Sequence, residues 1–410
     1  MTTTPTEQRV VDSITPRRSE LIADLASLVA VPTGPGPGSR LDDCRNVLVG
    51  RLRQLGASAE LVPGQPRPPW LREGPAADAA RPVPPLAIIR KQHPRATRRV
   101  LLCGHIDTVF PLDPSFNALT IDPSGSRATG PGCSDMKGGL LVAIAALEAL
   151  HAADVPLSWT FAIVSDEETG SFHADAALRA EAAKPKHQGG YDCGLVFEPA
   201  LPDGGLVIER PGSGQFMIEC RGKAAHVGRD FTKGVSAVRA LADAISRACD
   251  LADPAAGRLV NIGPLEGGSA TNIVPDCARA WGNVRYFSPG AERVLAEALT
   301  AMNANHGRLP ETRVELVLNR PGKPKTPAVE RLANLARTSA IDLGQELPFG
   351  TTGGVCDGNN LQAGGLPTID TLGVRGGGLH TTQEWIDLES LVPRAQLAAL
   401  LMCRLAAGAL

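Results

Sequence analysis

Aromatic residues are scarce in this chain, with nine Phe, four Trp and two Tyr among 410 residues. A hydrophobic share of 43% must therefore rest on aliphatic side chains. Net charge is also scant. Forty-one Lys and Arg stand against 43 Asp and Glu, a formal charge of −2, so no basic field awaits phosphate backbones and no nucleic-acid partner is expected. Long apolar runs are missing. The best, Gly138 to Leu147, ends at Glu148 after ten residues, well short of the ~18 or more that a bilayer span requires, so no membrane partner is expected. Cysteine pairs of metal-binding or redox spacing are absent too. The nine cysteines (Cys44, Cys103, Cys133, Cys193, Cys220, Cys249, Cys277, Cys356, Cys403) are odd in number and scattered. This argues against a disulfide framework or zinc ribbon and for a reducing, cytoplasmic location. The first residues, Met1 to Arg9, lack the basic start and apolar run of a signal peptide.

What is present is length enough for two or three domains and a substantial core. Forty-four Gly and 34 Pro give many turns. A helical opening around Val11 to Ala30 precedes a Pro/Gly loop at Pro32 to Ser39, and a second helical pattern runs from Leu41 to Leu55. The stretch Pro63 to Pro85 is too rich in Pro for a core element and reads as a surface insertion. Beyond it, Val100 to Cys103, Trp159 to Val164 and Gly194 to Phe197 are short apolar runs, each followed by polar residues and separated by helix-like stretches such as Gly138 to Leu150. That pattern predicts an α/β fold, a mixed, mostly parallel sheet with helices on both faces, its polar residues at the carboxyl ends of the strands. From Gly214 to about Val317 the texture changes. Gln215 to Cys220 and Ala280 to Tyr286 alternate like half-exposed strands, with helices at Val235 to Leu251 and Ala291 to Asn305. A smaller α+β unit at 213–322 is therefore expected, inserted between the two parts of the larger one, 1–212 and 323–410.

Five segments carry polar residues suited to chemistry. His105 and Asp107 stand two apart at a strand end, where period-two geometry puts both on one side, and the Asp can hold one imidazole nitrogen while the other binds metal. Asp135 lies in the Gly-lined segment Gly130 to Gly139, ahead of a helix N-terminus. The adjacent acids Glu167 and Glu168 follow an apolar strand and leave the chain in different directions, so one can bind metal while its neighbour handles a proton. Glu198 follows Leu195-Val196-Phe197, and His380 follows three glycines and a leucine. Together His105, Asp135, Glu168, Glu198 and His380 offer imidazole and carboxylate but no thiolate, a donor set that suits zinc or a similar divalent ion at a hydrolytic site. Five ligands exceed one tetrahedral shell; if Asp135 bridges, they form two sets of three with open positions for a shared water.

The ordered segments His105-Ile-Asp107-Thr, Gly-Cys-Ser-Asp135-Met-Lys-Gly-Gly, Asp-Glu167-Glu168-Thr-Gly, Phe-Glu198-Pro and Leu-His380 resemble one family, the zinc metallopeptidases of carboxypeptidase G, acetylornithine deacetylase, succinyl-diaminopimelate desuccinylase and aminoacylases. The likeness runs from about Arg99 to near the C-terminus and is greatest to the carboxypeptidase G-like branch. It implies a di-zinc exopeptidase-like fold with an inserted lid and dimerisation domain. One zinc would be held by His105, Asp135 and Glu198 and a second by Asp135, Glu168 and His380, with cobalt or manganese as alternatives. Glu167 would be the general base, and Asp107 would orient His105. The segment Gly222-Lys-Ala-Ala-His226-Val-Gly resembles the family's lid motif, whose His reaches a partner subunit's site and steadies the oxyanion, so a homodimer is implied. Asn272 and Arg285 match residues that contact a substrate carboxylate, with Arg320 and the backbone near Gly353 and Gly354 as further candidates.

The function implied is hydrolysis of the amide bond of an N-acyl amino acid or short peptide, releasing an amino acid with a free carboxylate. Deacetylation or desuccinylation of acylated metabolites is the alternative, and a non-catalytic metal-dependent binding protein is the reading from another class. Two departures bear on specificity: Cys356 stands where glutamate-releasing members carry Ser or Thr, and Glu198-Pro-Ala-Leu-Pro-Asp203 offers no Lys for a side-chain carboxylate. Arg210 is a candidate substitute.

Overall fold

The computed structural model describes residues 3–36, 38–71 and 83–410. The middle of the Pro-rich stretch thus lies outside the described residues. The three apolar runs form the strands Arg98–His105, Leu157–Val164 and Cys193–Val196. They are parallel neighbours in a six-stranded sheet ordered Ser58–Val62, Leu86–Lys91, Leu157–Val164, Arg98–His105, Cys193–Val196, Thr368–Ile369. The last strand is parallel as well; Leu86–Lys91 pairs antiparallel with both of its neighbours and is the one strand of this sheet that runs against the others.

Along the central strand, Val100 and Leu102 join one apolar cluster and Leu101 and Cys103 another, as period two demands of a strand covered on both faces. The first cluster is completed by the helices Pro5–Ile14, Arg18–Val29, Leu41–Gln54, Gly139–Ala152, Pro327–Asp342 and Leu391–Ala406, the second by Asp175–Ala182 and Asp357–Ala363. The helical opening is two helices rather than one. Thr4 caps the first, accepting the Glu7 N–H at 3.2 Å while the Glu7 carboxylate accepts the Thr4 N–H at 2.6 Å. Pro16, which has no N–H to donate, then falls in the 3₁₀ turn Thr15–Arg17 that separates them.

By contacts, the chain divides into two compact units: Met1–Pro66 with Gly74–Glu209 and Lys325–Leu410, and Arg67–Glu73 with Arg210–Pro324. The second holds a four-stranded antiparallel sheet ordered Arg258–Gly267, Cys277–Tyr286, Gly212–Arg221, Glu311–Arg320. Phe216, Ile218, Ala280 and Val284 on one face pack against Leu241 and Leu295 of the helices Ala237–Cys249 and Pro289–Thr300. On the opposite face Trp281 Nε1 donates to the Trp70 carbonyl at 2.7 Å, so part of the Pro-rich stretch belongs to this unit. Among the described residues no helix is long and apolar enough to cross a membrane, and all nine cysteines are free.

Candidate metal centre

Parallel pairing brings three strand ends to one edge: His105 lies opposite Val164, and Cys103 opposite Val196. His105, the acidic turn after Val164, and Glu198, two residues past Val196, therefore emerge side by side. Asp135 comes from the buried turn Cys133–Gly138, which leads into the helix Gly139–Ala152. His380 comes from the turn between Gly376–Gly377 and Trp385–Asp387, paired antiparallel. Its backbone is left-handed, with φ 63°, a conformation that costs a non-glycine residue about 1 kcal/mol or more and tends to mark a functional position.

His105 Nε2 lies 3.2 Å from Asp135 Oδ1 and 3.9 Å from Glu198 Oε2. His380 Nε2 lies 3.5 Å from Asp135 Oδ2 and 3.2 Å from Glu168 Oε2. Asp135 thus turns one oxygen to each imidazole. Two triads result, His105–Asp135–Glu198 and Asp135–Glu168–His380, each with its donor atoms within 4.8 Å of one another. Bonds of about 2.0–2.1 Å in a tetrahedral shell separate neighbouring ligands by roughly 3.3 Å, so the observed spacings suit a small divalent ion.

The electrostatics agree. Burial opposes charge on His105, but Asp107, Asp135 and Glu198 outweigh it and hold the imidazole pKa well above its ordinary value. Hydrogen bonds to Asp135 and Glu168 push His380 up to about 10. Burial and the neighbouring Asp135 charge push Glu168 up to about 8. Burial works to raise Asp135 too, yet the two imidazoles bring it well below the usual carboxylate range. Three carboxylates crowded on two imidazoles leave a surplus of negative charge that a cation would neutralise. The nearby thiols Cys103 and Cys133 are buried and pushed far up, and so add no thiolate.

Asp107 lies beside His105 Nδ1 and meets the acidic turn as well. His105 Nδ1 lies 3.0 Å from the Asp107 backbone carbonyl and 3.5 Å from its carboxylate. The carboxylate instead accepts the backbone N–H groups of Glu167 at 3.1 Å and Glu168 at 2.9 Å. The Asp107 carbonyl thus meets the imidazole, and its carboxylate lies between the imidazole and the acidic turn. Glu167 is buried on that turn beside Glu168.

The remaining predicted residues divide between the units. In the smaller unit His226 pairs with Ile273, and the Asn272 carbonyl accepts the Val227 N–H at 3.0 Å, so His226 and Asn272 are brought together, both exposed. Arg285 and Arg320 both lie directly opposite Ser213, one on each side, and so share one face of the sheet. Arg210 is buried, its backbone paired with Lys323. In the larger unit Gly353 and Gly354 are exposed after the short strand Phe349–Thr351. Cys356 is buried and caps the helix Asp357–Ala363, its sulfur accepting the Gly358 N–H at 3.3 Å.

Three residues escaped the sequence reading. Glu384, fully buried, accepts three backbone N–H groups from the Asp135 turn, and burial pushes its pKa up to about 7 against those bonds. Arg394 donates to the carbonyls of Gly373 at 2.7 Å, Gly204 at 2.9 Å and Thr371, while Gly373 N–H donates to the Glu198 carbonyl at 2.9 Å. Ser213 completes the arginine rung. Only Glu384 carried a faint signal, an acid four residues after His380.

The chain belongs to peptidase family M20/M25/M40, whose model matches residues 101–404. It is a metallopeptidase-type hydrolase acting on amide bonds, which sets aside the binding-protein alternative. It is similar to carboxypeptidase G2 of Pseudomonas sp. (strain RS-16), 28% identical over 412 residues that cover 96% of this chain and 91% of that protein. Succinyl-diaminopimelate desuccinylase 2 of Shewanella loihica is 26% identical over 332 residues, covering 75% of this chain and 85% of that one. The solved YXEP protein of Bacillus subtilis, described as a dinuclear metal-binding peptidase, shares the fold, with a TM-score of 0.65 and 17% identity over 95% of this chain and 98% of that chain.

Proposed function

We propose that this chain is a carboxypeptidase G-like, cytoplasmic hydrolase that uses two zinc ions, or cobalt or manganese, to release an amino acid with a free α-carboxylate from an N-acyl or peptidyl substituent. The observation that carries this reading is Asp135, with one carboxylate oxygen facing each imidazole. His105 and Glu198 complete one ligand set, and Glu168 and His380 the other. Bound there, the ions would polarise the scissile carbonyl and lower the pKa of a shared water. Glu167 receives the water's proton and returns it to the leaving nitrogen. Asp107 holds the turn that aims Glu167.

Arg285 and Arg320, flanking Ser213 on one sheet face, support recognition of a carboxylate by two planar forks, with Asn272 of the same unit as a further donor; the backbone at Gly353 and Gly354 is a separate candidate in the larger unit. Exposed Leu259 and Leu265 on the outer strand Arg258–Gly267, together with Val238 on the adjacent helix, support pairing of two chains through the smaller unit as a homodimer. His226, also on that unit, then steadies the oxyanion in its partner's site. Nine free cysteines support the reducing compartment.

The test is metal content per chain, coupled to hydrolysis of N-acetyl, N-succinyl and dipeptide substrates before and after chelation. About two ions per chain, with activity lost on chelation and restored by zinc, is the expected result. Turnover that survives complete metal removal would refute the mechanism, and a preference for N-succinyl or N-acetyl substrates would place the chain with the desuccinylase relative instead.

A further inference from the structure

Glu384 is wholly buried four residues beyond His380, at the far side of the turn that carries that imidazole. Its Oε1 accepts the backbone N–H groups of Ser134 at 2.8 Å and Asp135 at 2.9 Å, and its Oε2 accepts that of Gly132 at 3.0 Å. Three N–H groups converging from one turn form an anion-holding concavity, shaped by the left-handed Gly132 with φ 70°. The Glu384 N–H donates to the Thr381 carbonyl at 3.0 Å, and its carbonyl accepts the Gly130 N–H at 3.3 Å. One residue thus ties the turn that bears Asp135 to the turn that bears His380.

We propose that Glu384 is a positioning residue: it fixes Asp135 against the His380 turn and so sets the affinity of the Asp135–Glu168–His380 triad for its cation. This rests on the two-metal reading above. The two triads need Glu384 unequally. His105 ends the strand Arg98–His105 and Glu198 follows Cys193–Val196 by two residues, its carbonyl accepting the Gly373 N–H at 2.9 Å, and their side chains are 1% and 10% exposed. His380 is 57% exposed on a turn, and its spacing to Asp135 depends on how the two turns are joined. A Gln at 384 is isosteric but carries one carbonyl oxygen and an NH₂, so one of the three buried N–H groups must face a donor.

The experiment titrates chelated wild type and Glu384→Gln with Co²⁺, read by the visible d–d absorption and by calorimetry. Wild type should take up two ions. In the variant the first should bind within about threefold of wild type, and the second about 10- to 100-fold more weakly, the usual range for losing a partner of a ligand. Turnover of the variant should return at saturating cobalt with KM unchanged, which a general loss of packing would not produce. Wild-type affinities for both ions, or equal weakening of both, overturns the proposal while leaving the two-metal reading intact. A wild type that takes up fewer than two ions overturns both.

Amide hydrogen exchange on the chelated wild type supplies a reading that needs no variant. The N–H groups of Gly132, Ser134 and Asp135 should be protected, and rapid exchange at all three would equally overturn the proposal.

Discussion

Gly139→Ala probes the junction between the buried helix Gly139–Ala152 and the strand end that carries Glu198. A methyl at Gly139 would lie 1.9 Å from the Phe197 carbonyl oxygen and 3.1 Å from its carbon. An ordinary carbon–oxygen contact is about 3.3 Å, so helix and strand must part by roughly 1.4 Å. Phe197 cannot yield freely, because its N–H donates to the Cys103 carbonyl at 3.2 Å inside the sheet. Overpacking of this kind costs about 1–3 kcal/mol, or a fall in Tm of roughly 3–8 °C. The displaced residue immediately precedes Glu198, so the first cation should bind at least ~10-fold more weakly. Gly50 is the control. It lies on the exposed side of the helix Leu41–Gln54 with nothing within 4 Å of an added methyl, so Gly50→Ala should stabilise by about 0.5–1 kcal/mol. Thermal unfolding by circular dichroism and cobalt titration read both variants. A Gly139→Ala protein with wild-type Tm and wild-type cobalt affinity would refute the reasoning.

Glu167→Ala should lower kcat by about 10³-fold or more with two ions still bound, measured by turnover and metal analysis; near-normal kcat removes the residue's role as base. Arg285→Lys should raise KM on the order of tenfold for substrates with a free carboxylate and leave their amides unaffected, since Lys lacks the planar fork. Asp192 supplies a pH test. Burial raises its pKa, but the Arg99 N–H at 2.7 Å, Lys186 and Arg98 outweigh that and hold it below the ordinary 3.8. A depressed folded-state pKa gives stability that is present above the unfolded value and lost as pH falls through the folded one. Asp192→Asn should therefore cost about 1–2 kcal/mol at neutral pH, and the gap to wild type should close as pH drops from ~5 to below ~3.8, followed by urea unfolding. A gap that stays constant over that range would sink the assignment.

The site was legible where a polar residue followed an apolar run, because parallel strands deliver such residues to one edge. His105 and Glu198 are of this kind, and the unbroken apolar run Val100 to Cys103 already implied cover on both faces. Contacts made by the main chain were not legible. Asp107 meets the imidazole with its carbonyl at 3.0 Å as well as with its carboxylate at 3.5 Å, and only the carboxylate is written in the residue type. Glu384 is not legible because its partners are three backbone N–H groups, which leave no mark on residue type. Ser213 became informative only once strand register set it between Arg285 and Arg320. Which unit the Pro-rich stretch joins was not legible either, since the Trp70 carbonyl that meets Trp281 carries no side-chain signature.

The two triads share a carboxylate but not a foundation, and that difference orders their chemistry. His105 ends a central strand and Glu198 follows the neighbouring strand by two residues, directly after Phe197, whose N–H is bonded to the Cys103 carbonyl, so disturbing them disturbs the fold, as Gly139→Ala should show. Glu168 and His380 stand on turns, held by Asp107 through one N–H and by Glu384 through the Asp135 loop. Turns open at lower free energy than sheet strands, so the cation held by Glu168 and His380 should leave first on chelation and return last. Stepwise chelation followed by cobalt absorption should therefore show two phases, the weaker one lost alone in Glu384→Gln. A single phase in wild type would mean that Asp135 couples the two sites more strongly than their separate supports divide them.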